Sequence, residues 1–351
     1  MQSIDAFPHI LPRPLFERML AAAEPASPAA RWLEGSRRLA GLTDLDVRFQ
    51  VMDRLPEYRQ ILTLATPPIE QVATGAKGRD LARLANDALA ELCQQYPERF
   101  VGFAAGLPMD DPDAALDELE RAVGSLGALG VQIFTNAAGH ALDEPRFEPL
   151  FARMAALDRP LWVHGARSFT RPEFEGELES RYGLWLAFGW PYEMGLFMAR
   201  LVLAGVLDRY PNLRILCHHG GGMVPAFGQR VSAFPIGFHR AGHEAEQEAF
   251  DRLSKSPVEY FTKFYADTTV GAVARTIRLS IDFFGAEHVL FASDWPFGPQ
   301  LPTHEANLRS TLAALDELGL SEAELAGVLA GNARRTLLPQ ASAAGRASST
   351  A

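Results

Sequence analysis

The chain has 351 residues, of which 48% are hydrophobic and 22% charged, and its formal net charge is −10. This composition is typical of a globular protein with a sizeable core. The acidic balance argues against nucleic acid and anionic membranes as partners. A small anionic substrate stays compatible with it, because a local cluster of arginines can override the global charge.

Cysteine use and the N-terminus indicate the compartment. The two cysteines, Cys93 and Cys217, are far apart and form no disulfide framework, which favours a reducing compartment. The N-terminal segment lacks the basic region and apolar run of a signal peptide. No apolar stretch reaches the roughly 18 residues of a membrane span. We therefore expect a cytoplasmic protein with no membrane partner.

Short apolar segments alternate with amphipathic segments along the chain. Their lack of polar alternation predicts parallel strands that are buried on both faces. Strands are expected at 3–10, 59–65, 100–106, 130–135, 160–164, 213–219, 263–268 and 288–294. Helices are expected at 80–93, 111–123, 144–157, 192–207, 270–284, 304–318 and 321–329.

Eight such alternations predict an α/β fold, a (β/α)8 TIM barrel, rather than a doubly wound sheet. We expect one domain over 1–338, followed by a disordered Ala/Ser-rich tail at 339–351. Three segments interrupt the alternation, at about 25–43, 165–189 and 235–256. Long excursions at the C-terminal end of a barrel shape the substrate pocket.

Four of the predicted strands end in residues that can bind a metal ion. The first contains His9, the fifth ends in His164, the sixth in His219 and the eighth in Asp294. Singly, each is as well explained as a structural residue, and Asp294 as a helix cap. Together they converge on one mouth of a barrel, where imidazoles and a carboxylate can hold a divalent cation and leave a position for water.

The period of two in a strand predicts which neighbouring side chains share a face. Asp5, Phe7 and His9 are expected on one face of the first strand. His218 alternates away from the face that carries His219 and is expected to be structural. The remaining histidines are expected to be structural or exposed: 140, 239, 243, 288 and 304.

Sequence motifs at the strand ends resemble those of a known family. They are I-D-A-F-P-H-I-L-P at 4–12, G-W-P-Y-E at 189–193, H-G-G-G at 219–222 followed by Arg230, and S-D-W-P-F at 293–297. With them the chain resembles the amidohydrolase-related decarboxylases of the amidohydrolase superfamily, the aminocarboxymuconate-semialdehyde decarboxylase-like family. The resemblance covers nearly the whole chain, from 4 to about 337.

The resemblance implies a role for each matching residue. His9, His164 and Asp294 would bind one divalent metal ion, expected to be zinc, with manganese as the alternative. His219 would be the acid/base group, with Asp294 as a second catalytic residue. Arg230 would reach the pocket of a neighbouring subunit and hold a substrate carboxylate, which implies a homodimer.

The substrate would also contact Trp190, Glu193 and Phe7. Phe7 is a departure, because the family opening I-D-x-H-x-H has a histidine there. Three outcomes remain open. The metal is retained, with water or His219 completing the site; it binds weakly; or the site works without metal through its histidine, aspartate and arginine.

The predicted function is metal-dependent, non-oxidative decarboxylation of a small aromatic or conjugated carboxylic acid. Hydrolysis of a lactone or an amide and hydration of an unsaturated acid are alternatives, and so is a binding protein without activity. The arginines and aromatic residues of 167–192 indicate an aromatic or conjugated anion, or equally a subunit interface.

Overall fold

The computed structural model describes residues 2–55, 57–233, 244–297 and 304–338. Its strands are β1 (Ser3–Asp5), β2 (His9–Ile10), β3 (Tyr58–Leu64), β4 (Phe100–Gly106), β5 (Gly130–Phe134), β6 (Asn136–Ala137), β7 (His140–Ala141), β8 (Leu161–His164), β9 (Ile215–Cys217), β10 (Tyr265–Asp267) and β11 (Val289–Leu290). β6 and β7 form a small antiparallel hairpin.

The remaining strands form the predicted parallel barrel. Their order is β1-β3-β4-β5-β8-β9-β10-β11, and β2 also pairs with β3. The backbone N–H of Ala6 donates to the carbonyl of Phe291 at 2.9 Å, which joins the last strand to the first. The (β/α)8 fold is therefore confirmed.

Helices surround the strands. They are α1 (Arg13–Ala22), α2 (Pro28–Ser36), α3 (Ala40–Thr43), α4 (Leu45–Asp53), α5 (Ile69–Val72), α6 (Gly75–Gln95), α7 (Pro112–Gly124), α8 (Glu148–Leu157), α9 (Leu184–Ala187), α10 (Gly189–Leu203), α11 (Val206–Arg209), α12 (His218–Gly221), α13 (Val224–Ala233), α14 (Glu244–Asp251), α15 (Pro257–Phe261), α16 (Ala274–Phe284), α17 (His304–Asp316), α18 (Glu322–Ala326) and α19 (Asn332–Thr336). In this set α12 is a tight turn, because two of its residues have left-handed backbone angles.

Apolar residues fill both faces of the barrel wall. Inside the barrel lie buried side chains that include Ile4, Ile61, Trp162 and Leu216. The larger apolar cluster lies between strands and helices. The indole N–H of Trp162 donates to the carbonyl of Ala6 at 2.9 Å, so this large side chain is held in the interior.

The predicted first strand is wrong in one respect. It is two short strands, β1 and β2, rather than one continuous strand over 3–10. Asp5 bonds to the hydroxyl groups of Tyr58 and Ser293, whereas Phe7 packs against His218. The period of two applies only within a continuous strand, so Asp5 does not join the group that Phe7 and His9 enter.

The excursions differ in character. Segment 25–43, expected as a loop or insertion, contains α2 and α3, and Ser27 caps α2 by accepting the N–H of Ala30 at 3.1 Å. Within 165–189, α9 and the start of α10 are the described helical parts. Residues 235–243, with His239 and His243, and the tail 339–351 lie outside the described residues. The domain limits at 1–338 stay a prediction.

Within the described residues, no helix has both the length and the apolar character that a membrane crossing requires. Cys93 and Cys217 are both free thiols.

Candidate active site

Four of the predicted residues meet at the carboxyl ends of the strands. His9 is on β2, His164 ends β8, His219 follows β9 and Asp294 follows β11. Nε2 of His9 lies 3.2 Å from Oδ1 of Asp294. The ring centroids of His164 and His9 are 5.1 Å apart, and those of His164 and His219 are 5.3 Å apart.

Backbone carbonyls orient two of these imidazoles. Nδ1 of His9 lies 3.0 Å from the carbonyl oxygen of Leu64, and Nδ1 of His164 lies 2.7 Å from that of Gly165. A carbonyl only accepts hydrogen bonds, so each Nδ1 carries a proton. Each Nε2 then presents a lone pair, which is the form that binds metal ions.

His218 is also in the site, and the prediction that it faces away is wrong. It is fully buried, and its Nε2 lies 3.6 Å from Oδ1 of Asp294. The strand ends at Cys217, and His219 has a positive φ of 57°. Alternation stops with the strand, so two neighbouring imidazoles enter one site, with ring centroids 4.0 Å apart.

Asp267 is a residue that the sequence analysis missed. It ends β10, is fully buried, and its Oδ2 accepts the Nδ1 proton of His218. Its Oδ1 accepts the backbone N–H groups of Gly220 at 3.1 Å and Thr269 at 3.0 Å. The signal was present, because an aspartate near the end of a predicted strand is the same feature that identified Asp294.

Phe7 lies among the histidines where the resemblance expects a ligand. It is fully buried, and its ring lies nearly parallel to that of His218, with centroids 4.0 Å apart and planes 19° apart. It meets His9 edge-on at 5.6 Å. Phe7 therefore forms an apolar wall of the site and offers no donor atom to an ion.

The donor atoms of the site fit a divalent cation. Nε2 of His9, His218 and His219 are buried and have no hydrogen-bond partner among the described residues. Two sets of side chains bring their donor atoms within 4.8 Å of one another: His9, His164 and His218, and His218, His219 and Asp294. Buried polar atoms normally have a partner, and imidazoles with a carboxylate are ligands that zinc and similar ions take.

Charge and burial set the protonation states in the site. Burial would raise the pKa of Asp294, but contacts with His218 and His9 hold it well below its usual value. Burial would likewise lower the pKa of His218, but Asp267 outweighs it and raises that pKa to about 9. Burial first, and then His218, lower the pKa of His219 to about 4. Near neutral pH, Asp294 is an anion, His219 is neutral and His218 is protonated, so a metal ion bound at Nε2 of His218 would displace a proton.

Aromatic side chains cover the imidazoles. The ring of Trp190 is nearly parallel to that of His219, at 5.8 Å and 23°, and meets His164 edge-on at 4.9 Å. The rings of Trp32 and Phe297 stack at 6.3 Å. The site is therefore bordered by flat apolar surfaces.

A pocket opens beside these rings. Its lining includes Trp32, Phe169, Trp185, Trp190 and Arg167. Trp32 comes from the predicted insertion at 25–43, and three of the others come from the one at 165–189. Two of the three excursions thus line a pocket, as expected.

The two remaining predicted residues lie outside the histidine cluster. Glu193 is buried, and its Oε1 accepts hydrogen bonds from Arg167 at 3.0 Å and from Arg171 at 3.3 Å. Its carboxylate therefore positions two arginine side chains. The side chain of Arg230 is exposed on α13.

The sequence model of the amidohydrolase family matches residues 25–338. The chain belongs to the amidohydrolase family. Among the relatives of this amidohydrolase is the gamma-resorcylate decarboxylase of Rhodococcus jostii, which is 32% identical over 310 residues, 85% of this chain and 88% of that protein. The 2-amino-3-carboxymuconate-6-semialdehyde decarboxylase of Dictyostelium discoideum is 29% identical over 255 residues, 72% of this chain and 67% of that one.

A solved structure extends the comparison to a bound ion. The 5-carboxyvanillate decarboxylase of Novosphingobium aromaticivorans, complexed with manganese and 4-hydroxy-3-methoxy-5-nitrobenzoic acid, matches this amidohydrolase with a TM-score of 0.77 and 26% identity. The match covers 96% of each chain. The similarity therefore spans the barrel as a whole.

Proposed function

We propose that this member of the amidohydrolase family is a metal-dependent, non-oxidative decarboxylase of a small aromatic or conjugated carboxylic acid. The observation that carries the proposal is the convergence of His9, His164 and Asp294 beside an aromatic pocket. Decarboxylases among the relatives support the reaction, and the manganese complex of one structural neighbour supports the ion. Zinc or manganese is the ion we propose.

His9, His164 and Asp294 would hold the ion through two Nε2 atoms and a carboxylate. When bound, the ion supplies positive charge that orients a substrate oxygen and stabilises the negative charge left as CO2 departs. The remaining work is proton transfer and binding by the side chains of the chain itself.

Loss of CO2 replaces a carboxyl group by hydrogen, so one proton must reach the carbon that loses it. We assign this transfer to His219, whose Nε2 is buried beside the cluster and whose ring stacks on Trp190. A neutral imidazole can take a proton from a substrate hydroxyl or from water and pass it to that carbon. Asp294, as an anion, stabilises positive charge on the groups around it.

The pocket supports a flat anionic substrate. The indoles of Trp32, Trp185 and Trp190 provide surfaces on which an aromatic ring can pack. Nε of Arg167 and Nε1 of Trp190 are buried and have no hydrogen-bond partner among the described residues. Both atoms carry a hydrogen, so each can donate a hydrogen bond to an oxygen atom of a carboxylate or a phenol.

We propose further that the protein is a homodimer. Phe188 at the N-cap of α10 and Tyr192 and Leu196 within it are spaced by four residues, and all three are exposed. Phe227 is exposed on α13, which packs against α10. Large apolar side chains on one face favour burial against a partner. Arg230 follows Phe227 by three residues on α13, which supports its predicted role in a shared site.

A cytoplasmic location is also proposed. Cys93 and Cys217 are both free thiols, and a reducing compartment keeps thiols free.

A product analysis distinguishes decarboxylation from hydrolysis. We would incubate the manganese-loaded enzyme with a panel of hydroxybenzoic and muconate-type acids, and in parallel with aromatic lactones and amides. The proposal predicts CO2 and the decarboxylated product from at least one acid. Acid release from a lactone or an amide, with no CO2 from any acid, would make the protein a hydrolase.

A further inference from the structure

We propose that His218, oriented by Asp267, is a metal ligand that replaces the histidine lost at Phe7. The inference rests on the proposed metal dependence and names a residue that neither the resemblance nor the alternation in β9 assigns to the ion. It gives the site a fourth protein ligand from β9 in place of one from the first strand.

The positions of the donor atoms support this assignment. Nε2 of His218 lies 3.6 Å from Oδ1 of Asp294, and Nε2 of His9 lies 3.2 Å from the same oxygen. Ligands about 2.0–2.1 Å from a tetrahedral ion lie roughly 3.4 Å from one another. The two separations therefore match those of neighbouring ligands.

These short separations are not ordinary hydrogen bonds. Both Nε2 atoms are buried, and neither has a hydrogen-bond partner of acceptable geometry among the described residues. Two buried nitrogens that lie close to one carboxylate oxygen without a hydrogen bond to it are the arrangement expected of atoms that share a third partner.

Asp267 fixes His218 for this role. It accepts the Nδ1 proton of His218, which leaves Nε2 to face Asp294. The carboxylate is itself held by the N–H groups of Gly220 and Thr269. A carboxylate behind a histidine is the usual support of a metal-binding imidazole, since it sets the ring orientation and increases the basicity of the free nitrogen.

Phe7 also supports the assignment of His218 as a ligand. Its ring lies flat against that of His218 and is fully buried, so it restricts the orientation of the imidazole. A ligand is lost on the first strand and another is gained at the end of β9. His219, the next residue, stays available for proton transfer.

The test is a manganese titration of metal-free protein, followed by the electron paramagnetic resonance signal of unbound Mn²⁺. His218→Ala is expected to weaken Mn²⁺ binding at least 100-fold. Asp267→Asn is expected to weaken it about 10- to 100-fold, as for other groups that support a ligand. His219→Ala is the matched control, and its affinity should stay within about threefold of the wild type.

A double variant separates loss of a ligand from loss of structure. Phe7→His together with His218→Ala is expected to recover at least tenfold of the lost affinity, because it restores a donor beside His9. Wild-type affinity in His218→Ala and in Asp267→Asn would overturn the inference and leave the proposed function intact. An equal loss of affinity in His219→Ala would show that the effect is not specific to His218 and would also overturn the inference. A wild-type protein that binds neither Mn²⁺ nor Zn²⁺ would overturn the proposed metal dependence itself.

Discussion

At the scale of residues, the two histidines after β9 are adjacent in sequence but have different neighbours. His218 is held by Asp267 and packs on Phe7, whereas His219 packs on Trp190 at the edge of the pocket. Different surroundings give identical side chains different chemistry. We therefore separate metal binding from proton transfer and assign the latter to His219.

This separation predicts the effect of His219→Asn. Asparagine retains a polar side chain but cannot transfer a proton, so kcat should fall about 10²- to 10⁴-fold. Mn²⁺ affinity should stay within a few-fold of the wild type. Steady-state CO2 release and a manganese titration measure the two effects. A variant that retains more than half of the wild-type kcat would contradict the role of His219.

Glu70 predicts a pH-dependent effect on stability. Burial, and to a smaller extent the charge of Asp110, raise its pKa from 4.5 to about 8. The folded protein therefore keeps Glu70 protonated at pH values where the unfolded chain ionises it. As far as Glu70 is concerned, the free energy of unfolding is therefore highest below about pH 4.5, and it falls as the pH rises to about 8.

Glu70→Gln should consequently stabilise the protein more at pH 8 than at pH 5. The amide stays neutral in both states, so the gain at neutral pH can reach about 3 kcal/mol. Urea unfolding at the two pH values measures the difference. Equal effects at pH 5 and pH 8 would show that Glu70 is not protonated in the folded state.

At the scale of elements, α4 connects an outer helix with the site. Arg48 on α4 is fully buried and donates to the carbonyls of His9 and Gly41. Its guanidinium lies 4.4 Å from the ring centroid of Trp295, the residue after Asp294. One arginine thus contacts the backbone of one proposed ligand and the neighbour of another.

Arg48→Met should therefore damage both stability and metal binding. It leaves buried carbonyl groups without a donor, which costs about 2–4 kcal/mol. Urea unfolding and a manganese titration test this, with Arg54→Met as the control because Arg54 is exposed and pairs with Glu305. Equal stability of the two variants would contradict the bridging role of Arg48.

The sequence predicts elements well where one pattern runs uninterrupted. β4 begins and ends as predicted, and α18 lies within the helix expected at 321–329, where Ser321 and Glu324 form a capping box at its start. The breaks in the pattern were not predictable by alternation. The interruption between β1 and β2 and the left-handed conformation of His219 depend on tertiary contacts. These two features explain why the faces predicted for the side chains of Asp5 and His218 are wrong.

At the scale of the whole molecule, the barrel brings residues that are far apart in sequence to one mouth. This was predictable because every strand of a parallel barrel ends at the same side, so His9, His164 and Asp294 had to be neighbours. The strand pattern is sufficient to place Asp267 at the same mouth, whereas its hydrogen bond with His218 depends on side-chain packing that the pattern does not contain.

The apolar face formed by Phe188, Tyr192, Leu196 and Phe227 predicts the oligomeric state. The wild type should sediment as a dimer, and Leu196→Arg should sediment as a monomer because it buries an unpaired charge in the interface. Glu91→Arg, on α6 at another part of the barrel, is the control and should remain a dimer. A dimeric Leu196→Arg, or a monomeric wild type, would contradict this assignment.

The central claim is that this amidohydrolase releases CO2 from an aromatic acid and needs a divalent ion held by His9, His164 and Asp294 to do so. The most direct measurement is the release of labelled CO2 from the best acid of the panel, carboxyl-labelled, by metal-free protein, by protein reloaded with Mn²⁺ and by His164→Ala. We predict release by the reloaded wild type and at least a 100-fold lower rate in the other two. Equal rates in all three would contradict the metal requirement, and no release from any acid would contradict decarboxylation.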